Sequence, residues 1–554
     1  MQQENDAVTV QPVAAKKNTL VRNASILMMA TMISRVIGLI YRRPLGRILG
    51  PVGLGYYGYA SNLYAILLLI SSYSIPMAVS KIVSERLALK RYKSSQKVLR
   101  GALMYAAFVG GIAALVAYFG GPYLLPANQQ NALPALRVLA PTIFLSAILG
   151  VLRGYFQAHA TMLPTSVSQI WEQVFNAIVS VTAAYFLIQS FAPMGGTKAA
   201  IFGAIGGTMG TGAGVLTGLI VMAYFIIKNV PEYKREKSLD ETGLEETYGT
   251  VFRIIFLMMT PIIFTTFVNN ASTYLDSYIF SSILDRFHVD ADTISAQYGE
   301  YSNYYIPIIN IALALASASA SAMMPEVSGK YAMHQIKEAN EQINQTIRLT
   351  MFLSIPAMVG ETVLAYPIMR VLFPSATKLS SMLLLTGAIY IVPATLSTIT
   401  GSVLQSIGKQ RNTLWNAVYA LIFNLVFLAV LLLIAPGLGI YALMIANIMY
   451  SVVYAFFNGI MLKKYLGFKN EIRKTYLQPL AASALMGLFA YGMYHFIFHF
   501  SKEPYLSLGV SVLSAVFVYL ILYVAISGTT KEEMRKYPMG TKIIKVLRIL
   551  HIYH

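Results

Sequence analysis

Apolar runs of roughly twenty residues, separated by short polar stretches, recur along the whole chain, and each is long enough to span a bilayer as a helix. They cover 24–43, 57–80, 100–120, 136–157, 163–190, 198–227, 251–283, 303–324, 347–372, 379–406, 412–434, 437–462, 477–499 and 506–527. Period-two alternation dominates nowhere. A backbone in hydrocarbon must also satisfy its own hydrogen bonds, so the runs predict helices, not strands. The expected fold is an all-α polytopic membrane protein with about 14 transmembrane helices. Residues 1–23 are polar, lack the layout of a signal peptide and read as a cytosolic tail.

An internal repeat emerges at an offset of about 248 residues. PMAVSKIVSERLALKRYKSSQKVLRGALM from Pro76 parallels PEVSGKYAMHQIKEANEQINQTIRLTM from Pro325. The same offset links Arg100 to Arg348, Gln157 to Gln405, and Phe175-Asn176 to Phe423-Asn424. Six helices per copy preserve orientation, so the copies are parallel repeats, an arrangement in which transporters hold substrate between two lobes near the midplane. The expected organisation is a tail over 1–23, a first lobe over 24–228, a charged and flexible cytosolic linker over 229–249, a second lobe over 250–463, two extra helices within 464–527 and a basic tail over 528–554.

Charge sets the orientation. Only 12% of the 554 residues are charged, about half the share of a soluble domain. Basic side chains cluster in 81–100, 463–474 and the C-terminal tail. The positive-inside rule then places both termini in the cytosol. The net charge of +19 reflects topology and attraction to anionic lipid. With no soluble basic domain, it is not a nucleic-acid footprint. TKIIKVLRILHIYH at the C-terminus is expected to lie on the inner leaflet as an amphipathic helix.

The first run carries unusual chemistry. ISRVIGLIYRRPLG over 33–46 sets Arg35 about 11 residues into a span starting near Ala24, roughly 16 Å deep. An arginine there costs about 2.5–3.5 kcal/mol on insertion scales, and no Asp or Glu lies between Asp6 and Glu85. Pro44 is expected to interrupt the helix, leaving Arg42, Arg43 and Arg47 at an outer loop, from which they can snorkel to lipid phosphates. Arg35 is too deep for that, and it shares a helix face with Arg42, two turns on. A water-filled cavity in which guanidinium forks grip an anion, most naturally a phosphate, accounts for both.

SRVIGLIYRRPLGRILGPVGLGYYGYA, SIPMAVSKIVSE and RGYFQAHATMLPTSVSQIWEQ resemble the multidrug/oligosaccharidyl-lipid/polysaccharide exporter superfamily, and within it the Gram-positive-type lipid II flippases and polysaccharide-export relatives. The resemblance implies a fourteen-helix, two-lobed flippase for an undecaprenyl-pyrophosphate-linked glycan, with lipid II for peptidoglycan synthesis as the first expectation. It assigns the Ser-Arg pair of the first helix, here Ser34-Arg35, to the cavity, and matches a further arginine with Arg42 or Arg43. Arginines that some members carry in the second and the seventh or eighth helices have no counterpart in the second span. Arg286 is the only arginine between Tyr274 and Ala322. The implied partners are the lipid-linked glycan, membrane lipids and cell-wall synthesis proteins, with a monomer as the working unit.

Such a substrate also needs polar groups for its sugars. The candidates are Asn62, Gln157, Gln169, Glu172, Gln173, Asn269, Asn270 and Asn310. Glu172, in SVSQIWEQVFN, requires a partner at that depth. Arg153 or a first-helix arginine can serve, and the cluster can equally do no more than pin the fourth and fifth helices together. Asp276 is a candidate for a coupling cation, while Glu361 receives no assignment.

Other motifs fall away. GAIGGTMGTGAG lacks the Gly-Lys-Ser/Thr ending of a phosphate loop, and its glycines recur at four-residue spacings suited to close helix packing. His495 and His499 share a face without nearby Cys or carboxylate, so no metal is expected, and no cofactor or enzymatic activity either. Two other classes compete. A cation-coupled multidrug antiporter of the same fold would want acids in the cavity. A membrane glycosyltransferase or polymerase would want a large outer loop with paired carboxylates, whereas the loop over 284–302, with Asp285, Asp290, Asp292 and Glu300, is short.

Overall fold

The computed structural model describes residues 13–73, 75–240, 246–528 and 544. All regular structure among them is helical, as a lipid environment demands. The chain forms two compact units, Met1–Leu49 with Tyr59–Phe267, and Gly50–Gly58 with Val268–His554.

The first unit contains most of α1 (Val13–Leu68), then α2 (Ile75–Ala88), α3 (Tyr92–Leu124), α4 (Leu133–Ala158), α5 (Leu163–Phe191), α6 (Gly196–Ser238) and the first half of α7 (Tyr248–Arg286). Pro134 and Pro164 start α4 and α5, where a missing N–H costs nothing. Lipid is as apolar as the interior, so close packing of small residues has to hold the helices together. The α6 glycines do so against α5. A Cβ on Gly210 would fall 2.5 Å from Asn176 O, and one on Gly214 2.5 Å from Glu172 O. Ile82, Val98, Ala147 and Val251 join α2, α3, α4 and α7 in one buried cluster.

The second unit holds the rest of α7, then α8 (Ala291–Glu300), α9 (Ile306–Ala332), α10 (Ile336–Val363), α11 (Ala365–Leu372), α12 (Lys378–Gly387), α13 (Ile391–Ser406), α14 (Gln410–Ile434), α15 (Ile440–Leu466), α16 (Gln478–Ser501) and α17 (Pro504–Ser527). α13 packs between α9 and α15, α14 lies on α15, and α16 bridges α10 and α17. The Tyr519 hydroxyl donates to Phe352 O at 2.8 Å, tying α17 to α10.

Three expectations can be set against the described residues. Pro44 does not end the first helix. α1 runs on through the second apolar run with its break at Gly50 (φ 64°), because Pro51 disfavours a helical conformation at the residue before it and glycine tolerates positive φ. Arg42, Arg43 and Arg47 therefore sit on helix, not in a loop. Second, among the described residues eleven helices are long and apolar enough to cross a membrane, or twelve if α10 and α11, bent by 80°, form one span. That count takes the first two of the fourteen apolar runs together as Met29–Ala88, although Gly50 breaks α1, while the run at 251–283 lies within the single helix α7. Third, the start of the linker is ordered: α6 continues to Ser238, and Asp240 accepts from Lys93 N at 2.7 Å. The amphipathic helix expected at the C-terminus lies outside the described residues except for Ile544, which is buried against α16 and α17.

Candidate functional site

In the first unit, α1 meets α5 along a polar seam. Ser34 Oγ donates to Gln169 O at 3.4 Å, and Thr31 Oγ1, whose proton goes to Leu27 O at 2.9 Å, lies 3.5 Å from Gln169 Oε1. One turn on, Gly38 faces Gln173 Oε1. Arg35 follows Ser34 directly, is exposed, and makes no ion pair or hydrogen bond among the described residues. The seam thus brings Ser34 to Gln169 and Gly38 to Gln173, with Arg35 next to Ser34 in the chain. Two turns further, Arg42 is half-buried and Arg43 exposed, both in contact with neighbours, and Arg47 is exposed.

Glu172 does not leave a negative charge in this group. Arg153 Nη2 reaches its Oε2 at 2.6 Å, and Nε and Nη2 of the same guanidinium donate to Ser168 Oγ at 3.0 and 2.6 Å. The pair joins α4 to α5, while the close approach of α6 at Gly214 backs the Glu172 carbonyl. Asn62 is half-buried on α1 and interacts with a neighbour, and Gln157 occupies the last turn of α4, where its carbonyl accepts from Ala160 N at 3.0 Å.

In the second unit, Asp276 of α7 is buried, at 1% exposure, and its Oδ1 accepts from Asn424 Nδ2 of α14 at 2.6 Å. Its Oδ2 is buried with no donor among the described residues. Asn424 was visible in the sequence only as a repeat anchor, and its pairing with Asp276 spans 148 residues. Asn270 and Asn310 are exposed, and the side chain of Asn269 lies outside the described residues. Glu361 sits in the last turn of α10 before the bend, with Oε2 buried and no donor among the described residues.

The acids of the 284–302 segment serve the fold. Asp290 caps α8 by accepting from Thr293 N at 3.1 Å, and Asp292 accepts from Tyr56 Oη at 2.5 Å. Glu300 Oε2 accepts from Ser380 Oγ at 2.6 Å, Ser380 N at 3.1 Å and Thr377 Oγ1 at 2.8 Å.

A family model described as polysaccharide biosynthesis protein matches residues 20–330, more than half of the sequence. The chain belongs to that family. A second model, MatE, matches residues 261–430 of this polysaccharide biosynthesis protein. It is 27% identical over 489 residues to the lipid II flippase MurJ of Bacillus subtilis (strain 168), covering 85% of this chain and 87% of the relative. Two solved structures share its fold. One is the lipid II flippase MurJ in an inward closed conformation, at a TM-score of 0.61 and 16% identity, covering 90% of this chain and 98% of that one. The other is an inward-facing multidrug resistance transporter of the MATE family, also at 0.61, with 14% identity and coverage of 81% and 98%. The superfamily resemblance carried by the sequence motifs is borne out, as are the multi-pass helical architecture and the kinship with transporters.

Proposed function

We propose that this family member flips an undecaprenyl-pyrophosphate-linked glycan across the bacterial plasma membrane by alternating access of two lobes, over 24–228 and 250–463, with lipid II as its substrate. Both termini lie in the cytosol, and the protein works as a monomer alongside cell-wall synthesis proteins. The observation that carries this reading is Arg35, a permanent cation half-way along an apolar helix, exposed and without an ion pair among the described residues. A guanidinium is costly in lipid and useful only where water or an anion meets it.

In this reading Arg35 and Ser34 hold the pyrophosphate, with Arg42, Arg43 and Arg47 drawing the headgroup along the same helix. Gln169, Gln173, Asn62 and Gln157, with Asn269, Asn270 and Asn310 of the second lobe, meet the sugars. Glu172 is a positioning group, since its charge is spent on Arg153. Asp276 takes a coupling cation at Oδ2, while Asn424 fixes the carboxylate through Oδ1.

A cation-coupled multidrug antiporter is the second reading, favoured by the MATE fold likeness and the buried acid Asp276. Against it, the first unit offers a free arginine and a neutralised glutamate, the wrong sign for cationic drugs. The test is complementation of cells depleted of their lipid II flippase. Arg35→Ala is expected to abolish rescue while membrane insertion stays normal, and full rescue by that variant would refute the role of Arg35. Rescue by the wild type with no gain in drug resistance separates the two readings.

A further inference from the structure

Inside the second unit, between α9, α13 and α15, lies a cleft of about 300 Å³, at the lower end for small-molecule sites and equal to the bulk share of about ten waters. Its polar lining comes from Ser397, Thr398, Ser402 and Gln405 of α13, Tyr450, Ser451 and Tyr454 of α15, and Tyr390, and no Asp, Glu, Lys, Arg or His contributes to it among the described residues.

The hydroxyl groups are presented with a definite polarity. Ser397 Oγ and Thr398 Oγ1 donate to Ala394 O at 2.9 and 2.8 Å, and Ser402 Oγ donates to Thr398 O at 2.9 Å. With their protons committed to the helix backbone, all three oxygens are left as acceptors. Gln405 adds an amide able to donate and accept, and the Tyr450 and Tyr454 rings lie 6.0 Å apart as two apolar plates. A phosphate finds no cation in the lining, and the nearest acid, Asp276, is buried behind Tyr390 and Tyr450 and not in the lining itself. A purely apolar group would strand the acceptors without donors, which is costly. The complementary ligand is neutral, rich in O–H and N–H donors, and carries an apolar face.

The internal repeat sharpens the contrast. Its offset carries Arg153 onto Gly401 and Glu172 onto Ala420. Where the first unit fills the position with an ion pair, the second has a glycine. A Cβ on Gly401 would lie 3.2 Å from Tyr454 Oη and 3.6 Å from Asn458 Nδ2, so the bare backbone keeps the wall of the cleft open.

We infer that this cleft is a neutral-saccharide site, which, resting on the proposed function, receives a sugar ring of the lipid-linked glycan apart from the arginines that hold its diphosphate. The test is microscale thermophoresis on full-length protein in nanodiscs with three probes: N,N′-diacetylchitobiose, inorganic pyrophosphate and tetraphenylphosphonium. Wild type is expected to bind the disaccharide. Thr398→Val/Ser402→Ala should weaken that binding at least about tenfold, the loss expected from two neutral hydrogen bonds, with an unchanged melting temperature. Gly492→Ala, at a position with nothing within 4 Å, should leave it within about twofold. If the double variant misfolds, Tyr454→Phe with Gln405→Ala reads out the same site. Absence of disaccharide binding in the wild type, equal binding in the cleft variants, or loss of tetraphenylphosphonium binding in their place would overturn the inference. Failure of the flippase reading looks different: no complementation by the wild type while the disaccharide pattern holds.

Discussion

Arg153 Nη2 lies 2.6 Å from Glu172 Oε2, across the α4–α5 interface. Glu172, the one carboxylate of α5, is thereby answered within its own unit. The contact is a positioning device, with side chains 15% and 22% exposed.

Breaking that pair should be felt in stability. Arg153→Ala is expected to cost about 3 kcal/mol, the low end for a broken buried ion pair because both groups keep some water. Arg153→Met/Glu172→Leu should recover most of the loss. Thermal unfolding in detergent across the double-mutant cycle measures it, and additive losses would show that the two side chains do not cooperate.

Close packing of α5 on α6 should make Gly210 intolerant. Gly210→Ala would force a Cβ to 2.5 Å from Asn176 O, which is backbone and cannot step aside; a loss of about 1–3 kcal/mol is expected. Gly492→Ala meets nothing within 4 Å and should be neutral, or stabilising by about 0.5–1 kcal/mol through helix propensity. The same melting assay compares the two, and equal effects would argue against the glycine seam.

The chain after α6 is held to the first unit at two points. Arg86 reaches Glu246 Oε1 at 3.2 Å through Nε and 3.1 Å through Nη2, and Asp240 accepts from Lys93 N at 2.7 Å. Arg86→Ala/Asp240→Ala should free this stretch, raising its cleavage by a glutamate-specific protease about tenfold, as local opening becomes less costly. Unchanged digestion would mean that other contacts hold it.

Asp276→Asn keeps the neutral hydrogen-bond geometry toward Asn424 and removes the charge. Flipping in proteoliposomes by this variant is expected to lose its dependence on the cation gradient, with folding retained. Wild-type cation dependence in the variant would remove Asp276 from coupling.

The helical, membrane-spanning character of the chain was written in its apolar runs, because in lipid the backbone has no alternative to satisfying itself. The exposed arginine face of the first helix was legible for a similar reason: residues seven apart share a face whatever surrounds them. Local chemistry also held the true break point, in the Gly50-Pro51 step, although Pro44 looked the stronger signal. Long-range contact decided the rest. Whether Glu172 was neutralised, and by which arginine, depended on how α4 packs against α5, and Asp276 found Asn424 only through the approach of α7 to α14. The hydroxyl-lined cleft required three helices from distant stretches to converge, and no periodicity along one helix specifies the space left between it and its neighbours.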